Sequence, residues 1–204
     1  MDDDTEIGPD SPLAPACFPQ PEIGCDQPGF PPLVRFRGRG AESATPYLRK
    51  WLPELRPPVR EVPFALDLGS GNRRNAEHLR ASGWMVRGFD AHPECGVHMW
   101  LAGNRLPDTG DSEVHLVLCQ YLLMFCTDRQ TCGILDEVDR VLRPGGHALF
   151  EIEQVKQGRP VRLDRVRDYI CAVGHGRRPL VSPSPYETIH WSKRRCILRK
   201  KPNT

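Results

Sequence analysis

FALDLGSGNRRN, residues 64–75, decides how the rest of this chain is read. An apolar run reaches an acid, Asp67. Two glycines one residue apart follow, Gly69 and Gly71, and then a stretch with helical character. Glycine lets the backbone turn sharply and lets a ligand approach where a Cβ would clash. The second acid, Asp90, closes the next apolar stretch, WMVRGFD, residues 84–90. A carboxylate about twenty residues beyond such a loop accepts hydrogen bonds from the ribose hydroxyls of an adenosine. An ordinary tight turn followed by a helix-capping aspartate is the plainer reading of the same residues.

Working outward, Phe64–Leu68 reads as a buried strand, and Asn75–Ala81 as a helix with Asn75 as its cap and Ala76 and Leu79 inward. Trp84–Asp90 reads as a second strand, and a short third strand lies within residues 97–104. Residues 113–125 open as a strand and then become ambiguous. Ile134, Leu135, Val138, Val141 and Leu142 recur at helical spacing across residues 128–142. RPGG, residues 143–146, ends that helix, and HALFEIE, residues 147–153, is a further strand. Upstream, residues 43–55 form an amphipathic helix with Tyr47, Leu48, Trp51 and Leu55 on one side and Pro53 weakening the last turn. Downstream, residues 163–173 look helical, and residues 186–201 read as a hairpin around SKRR. Strands alternating with helices imply parallel pairing through crossovers. The expected fold is therefore α/β, a Rossmann-like open sheet, mostly parallel, with an antiparallel C-terminal hairpin. Only AHPECGVHMWLAG separates Asp90 from Asn104. The helix joining the second and third strands is expected to be missing or reduced, because a crossover normally takes a dozen or more residues.

Composition sets outer bounds. The chain has 204 residues and a formal net charge of +2, enough for one domain with a full core and no bulk-charge argument for a partner. Residues 1–40 are dense in Pro, Gly and Asp and are expected to be a disordered arm, with the folded domain at 41–204. The C-terminal part is basic, through Arg177, Arg178 and Lys193 to Lys201, which suits an anionic substrate, a nucleic acid, or simply a solvated charged strand. No apolar run approaches the ~20 residues of a bilayer span, and the acidic start is no secretory signal. The eight cysteines occur singly, without CxxC, as expected of free thiols in the cytoplasm. His92, Cys95 and His98 have ligand spacing, but no second pair accompanies them, so no metal is expected. No G-x-S-x-G elbow supports a hydrolase.

The adenosine could belong to several ligands. A dinucleotide fingerprint needs a small residue where Arg74 stands, and a Walker loop needs Gly-Lys-Ser/Thr, which this segment lacks. Asp67 would repel a pyrophosphate and favour an ammonium. ALDLGSGNRRN, VRGFDAHP, GNRLPDTGDSEVHLVLCQYLLMF and DEVDRVLRPGGHALFEIE resemble the successive motifs of class I S-adenosylmethionine-dependent methyltransferases, over residues 64–153. The resemblance implies a seven-stranded sheet with an antiparallel last strand, and S-adenosylmethionine as cofactor. It implies that Asp67, Gly69, Ser70 and Gly71 hold the methionine part, Asp90 the ribose and Asn104 the adenine. Cys119, Gln120 and Tyr121 would border the transferred methyl, with Gln120 and Tyr121 as the catalytic candidates. The acceptor is then a small molecule or a nucleic acid, and no membrane partner is implied. Three departures stand out: Arg73 replaces the third glycine of the family's loop, the segment after Asp90 is short, and CQYL replaces the Asn/Asp-Pro-Pro-aromatic motif of amino-methylating DNA enzymes. A catalytically degenerate binding module and a nicotinamide-dependent reductase are the alternatives.

Overall fold

A computed structural model describes residues 43–58, 62–91, 98–100, 103–152, 185–192 and 194–202. The elements are α1 (Pro46–Leu55), β1 (Phe64–Leu68), α2 (Arg74–Ala81), β2 (Met85–Asp90), β3 (His98–Met99), β4 (Val114–Gln120), α3 (Asp128–Val141), β5 (Leu142–Glu151), β6 (Tyr186–Trp191) and β7 (Arg195–Lys200). The seven strands form one sheet in the order β3-β2-β1-β4-β5-β7-β6. β1 to β5 pair in parallel, and β7 runs antiparallel to both β5 and β6. The expected open sheet with a C-terminal antiparallel hairpin is therefore present. The 1–40 arm, the helix expected at 163–173, and His92 and Cys95 lie outside the described residues.

Every residue of β1 and β4 is buried, as expected of central strands covered on both faces. Side chains alternate between two cores. Phe64, Leu66, Leu68, Val117, Cys119, Ala148 and Phe150 pack under α3 with Ile134, Leu135 and Val138. Ala65, Leu116, Leu118, Leu149 and Ile197 pack under α1 and α2 with Leu48, Leu52, Leu55 and Leu79. The period of two therefore places Asp67, Gln120 and Glu151, at the ends of β1, β4 and β5, on the α1/α2 face. Here the apolar pattern gives way to a polar one.

Several local expectations change. In α1 it is Leu52 that is fully inside beside Tyr47, Leu48 and Leu55, while Trp51 is half-buried at the margin. α2 begins one residue earlier than expected, capped by Arg73 in a left-handed conformation (φ 66°), so Asn75 lies inside its first turn. α3 starts as anticipated, on a reciprocal cap: Thr127 accepts from the Gln130 N–H and the Gln130 side chain accepts from the Thr127 N–H. RPGG does end α3, but it does not leave the sheet. Leu142 already pairs with Val114, and the register shifts before Leu116 meets His147, so the glycines form an irregularity within β5. After β4 the ambiguous stretch is a single 3-10 turn, Leu123–Phe125. β3 is only two residues long and pairs with the last residues of β2, Phe89 with His98 and Asp90 with Met99. Seven residues lie between these strands, fewer than the dozen or more that a crossover normally takes.

The loop after β3 also meets α3 through close backbone contact. A Cβ on Gly133 of α3 would lie 2.4 Å from the Gly103 carbonyl oxygen, and one on Gly103 would lie 3.0 Å from Gln130 Cα. We predict that Gly133→Ala, despite its better helix propensity, lowers the free energy of unfolding by ~1–3 kcal/mol in urea titration. Unchanged or raised stability would refute this close packing.

Candidate functional site

The parallel strands all end at one side of the sheet, and the expected site residues gather there. The N–H groups of Gly69 and Ser70 both donate to the Phe89 carbonyl, at 2.8 and 3.0 Å, and pin the loop to the end of β2. Gly69 and Gly71 take positive φ, 73° and 49°. A Cβ at Gly69 would press on Leu122 at 3.1 Å, so this glycine also makes room for the turn after β4. The Gly71 N–H donates to Asp90 Oδ2 at 2.8 Å, which joins the loop to the second acid. Arg73 does not enter the crevice. Its N–H closes a turn onto the Ser70 carbonyl, and its half-exposed side chain reaches back along α2 to Glu77, 4.0 Å away.

Asp67 is almost completely buried, and a backbone hydrogen bond from Ala76, in the first turn of α2, reaches its carboxylate. Oδ2 has no partner among the described residues, and neither has the buried hydroxyl of Ser70. Two buried polar atoms without partners therefore lie beside the glycine loop, where native proteins leave few such groups. Burial pushes the Asp67 carboxyl up to about 7, reinforced by the charge of Asp90 and opposed by the Ala76 hydrogen bond and by Arg80 and Arg74.

The remaining residues divide. Gln120 lies at the end of β4 but is buried. Its Nε2 donates to Thr45 Oγ1 (2.8 Å) and Glu151 Oε2 (2.6 Å), and its Oε1 accepts from Asn75 Nδ2 (2.9 Å) and Thr45 Oγ1 (3.2 Å). An amide so fully engaged has no group left for a substrate. Tyr121 follows in a left-handed conformation (φ 59°), with its N–H donating to the Glu151 carbonyl at 2.7 Å. Its half-buried hydroxyl is hydrogen-bonded to Glu151, and burial together with that carboxylate pushes it up to about 12. It holds its proton at neutral pH. Cys119 is packed in the α3-side core, where burial raises its thiol well above the ordinary range, and it exposes nothing to the crevice. Asn104 is exposed on the loop after β3, its carbonyl accepting from Trp100 Nε1 at 2.9 Å, while the Trp100 N–H donates to the Asp90 carbonyl.

Thr45, Asn75, Glu151 and Arg195 complete the site's framework. Thr45 caps α1 through the Leu48 N–H, and its own N–H donates to Asn75 Oδ1 at 3.0 Å. Arg195 Nε donates to Glu151 Oε1 at 2.7 Å, and its guanidinium lies over the Tyr47 ring. A charged residue inside the apolar run of HALFEIE is the one signal that marks Glu151 in the sequence. Among the described residues no His/Cys/Asp/Glu cluster could hold a metal, and no helix is long and apolar enough to cross a membrane.

The model of one family, described as a methyltransferase domain, matches residues 66–150. No curated protein matches. Among solved structures, an S-adenosylmethionine-dependent methyltransferase from Methanosarcina mazei is similar at TM-score 0.54 and 15% identity, over 79% of this chain and 100% of that one. Another from Archaeoglobus fulgidus gives 0.55 and 13%, over 76% and 91%. A TehB-like S-adenosylmethionine-dependent methyltransferase from Corynebacterium glutamicum gives 0.55 and 14%, over 76% and 86%. At these identities the likeness is one of fold.

Two outcomes are expected of the free protein. Folded Asp67 keeps its proton to about pH 7, whereas the unfolded side chain loses it near 3.8, so unfolding between these values releases a proton. Stability attributable to Asp67 is therefore full below pH ~3.8 and falls as pH rises through 7. Asp67→Asn should flatten that part of the stability profile, measured by denaturant titration at each pH; an unaltered slope would exclude it. Gln120→Leu strands Asn75, Thr45 and Glu151, and should cost ~1–3 kcal/mol for each group left unpaired. A variant within 0.5 kcal/mol of the parent would contradict the network, taking ordinary surface substitutions as the comparison.

Proposed function

We propose that this chain is a class I S-adenosylmethionine-dependent methyltransferase, a reading supported by the methyltransferase-domain model that matches residues 66–150, and that the crevice at the strand ends binds S-adenosylmethionine and transfers its methyl group to an acceptor. The single observation that carries this reading is the glycine loop tied to Asp90 beside two buried, unpartnered polar atoms, Asp67 Oδ2 and Ser70 Oγ. The donor set suits the ligand: carboxylates for an ammonium and a ribose, close backbone for the chain between them, and no lysine of a phosphate loop.

In this reading Asp67, once ionised, faces the ammonium, Ser70 supplies a hydroxyl, and Gly69 and Gly71 leave space. Asp90 holds the ribose, while Asn104, exposed past β3, offers an amide to the adenine. Arg73 leaves the loop open because its side chain follows α2 outward. The cofactor supplies a methyl on a sulfonium leaving group, so the protein's task is chiefly alignment, which can contribute up to ~7–11 kcal/mol. Tyr121 is the side chain best placed beside the acceptor. With its proton retained, it serves as a hydrogen-bond donor or a packing surface rather than a base. Gln120 acts from behind as a positioning residue: it fixes Glu151, and Glu151 fixes Tyr121. Cys119 contributes packing beneath them. We read the chain as a protein working in the cytoplasm.

S-adenosylhomocysteine should raise the melting temperature, by the equivalent of ~2.7 kcal/mol at a hundred times its dissociation constant. Asp90→Ala should abolish the shift while the protein stays folded; a normal shift in that variant would refute the site. Because only ionised Asp67 pairs with an ammonium, calorimetry should find affinity about tenfold weaker at pH 6 than at pH 8. Asp67→Asn should remove this dependence, and a pH-independent affinity in the parent would rule out the assigned pairing.

A further inference from the structure

β6 is the outermost strand on its side of the sheet, paired with β7 alone among the described residues. The opposite margin ends in a two-residue strand. This one presents six residues, none of them lysine or proline, which commonly blunt an open edge. Glu187, Thr188 and Trp191 are exposed, and Trp191 is one of three large apolar side chains left so among the described residues. The ends of the hairpin fix which backbone groups face outward. The Pro185 carbonyl accepts from the Lys201 N–H at 2.7 Å, and the Ser192 N–H donates to the Arg195 carbonyl at 2.8 Å, so residues 185 and 192 turn toward β7. Their neighbours Tyr186 and Trp191 therefore turn their N–H and C=O groups outward, because the two directions alternate along an antiparallel strand. These two also share a sheet face: Tyr186 packs in the α3-side core, and Trp191 pairs with Cys196 of that core. In an unbroken strand residues so spaced would lie on opposite faces. The register shift between Thr188 and His190 supplies the extra residue that brings them together. Glu187 and His190 occupy the other face, where His190 lies across from Ile197 with its ring 5.6 and 5.1 Å from those of Tyr47 and Trp51.

The strand is thus complementary to a reversed copy of itself. About a two-fold axis between Thr188 and Ile189, Tyr186 meets the partner's Trp191 and Glu187 meets the partner's His190, and each pair occurs twice. The first is an aromatic pair whose outward backbone groups can exchange both hydrogen bonds, and the second sets a carboxylate against an imidazole. Glu187 gives Oε2 to Arg199, which leaves Oε1 for the imidazole. Each copy brings the same extra residue to the axis, so the irregularity meets its own image and the register continues across it. From this self-complementarity we propose that β6 is a homodimer interface, at which two copies of this chain join their sheets edge to edge through antiparallel β6–β6 pairing in this register. The axis reverses one sheet relative to the other, so the two crevices open at opposite ends of the joined sheet. The pairing is independent of what the crevice binds.

Sedimentation velocity on the full chain should give twice the mass of one chain at ~100 µM and move toward one chain on dilution. Trp191→Lys, at an exposed position, should weaken association about tenfold or more while the melting temperature stays that of the parent. Crosslinking reads the register. Glu187 and the partner's His190 form a non-hydrogen-bonded pair, whose Cα atoms lie about 4.5 Å apart across an antiparallel ladder, within the span of a disulfide. Glu187→Cys combined with His190→Cys should therefore give a covalent dimer on a non-reducing gel after mild oxidation, where the parent and either single variant do not. The proposal is overturned by a parent that sediments as a single chain at that concentration, by Trp191→Lys associating as tightly as the parent, or by a double variant that crosslinks no more than the single ones. Should Trp191→Lys melt early, the crosslink decides alone.

Discussion

Four hydrogen bonds meet at the side-chain amide of Gln120, and through them the functional end of the sheet is held in one arrangement. The amide joins α1 by way of Thr45, the first turn of α2 by way of Asn75, and β5 by way of Glu151. These elements reach the amide from far apart in the chain. A buried network of this kind is stabilising only when every member is satisfied, since a half-filled one leaves polar groups stranded in a low-dielectric interior. It also rigidifies what lies next to it. Asn75 is on the helix that follows the glycine loop, and Glu151 touches Tyr121 through both backbone and side chain. The placement of the glycine loop and that of Tyr121 are thus linked through one amide.

The reason for the network's position is the period of two. In β1, β4 and β5 the apolar residues Ala65, Leu118 and Leu149 lie on the α1/α2 face, and the next residues on that face are Asp67, Gln120 and Glu151. The same strand geometry that builds the core delivers polar side chains at its edge, where the covering helices begin and their N–H groups need partners. Asp67 shows the tension in this arrangement. It takes a hydrogen bond from α2 and is otherwise sealed from water, so its charge is costly until something cationic arrives.

The succession of strands and helices and the glycine loop were readable from the sequence because they rest on local patterns: apolar runs, acids at their ends and glycines between. The short β2–β3 connection followed from counting residues. Less legible were features set by tertiary contact. Asn75 has the chemistry of a cap, yet Arg73 takes that position, because Asn75 is drawn inward to Thr45 and Gln120. Gln120 follows the fourth strand as a catalytic group would, and only the contacts of the folded chain show its amide fully consumed. RPGG reads as a break, whereas the pairing of Leu142 with Val114 keeps it inside the sheet. Arg73 stands where the family's loop has its third glycine, and its direction along α2 could not be known from composition.

The brevity of β3 has a consequence for solubility. A long, flat outer strand is an open template on which a second polypeptide can add by β-augmentation, the usual opening for aggregation and strand exchange. Here the outermost ladder on that side is two residues, His98 and Met99. β3 itself therefore offers an incoming strand scarcely any footing, and the open part of this margin passes to Met85–Gly88 of β2, where the guanidinium of Arg80 already occupies the Val86 carbonyl.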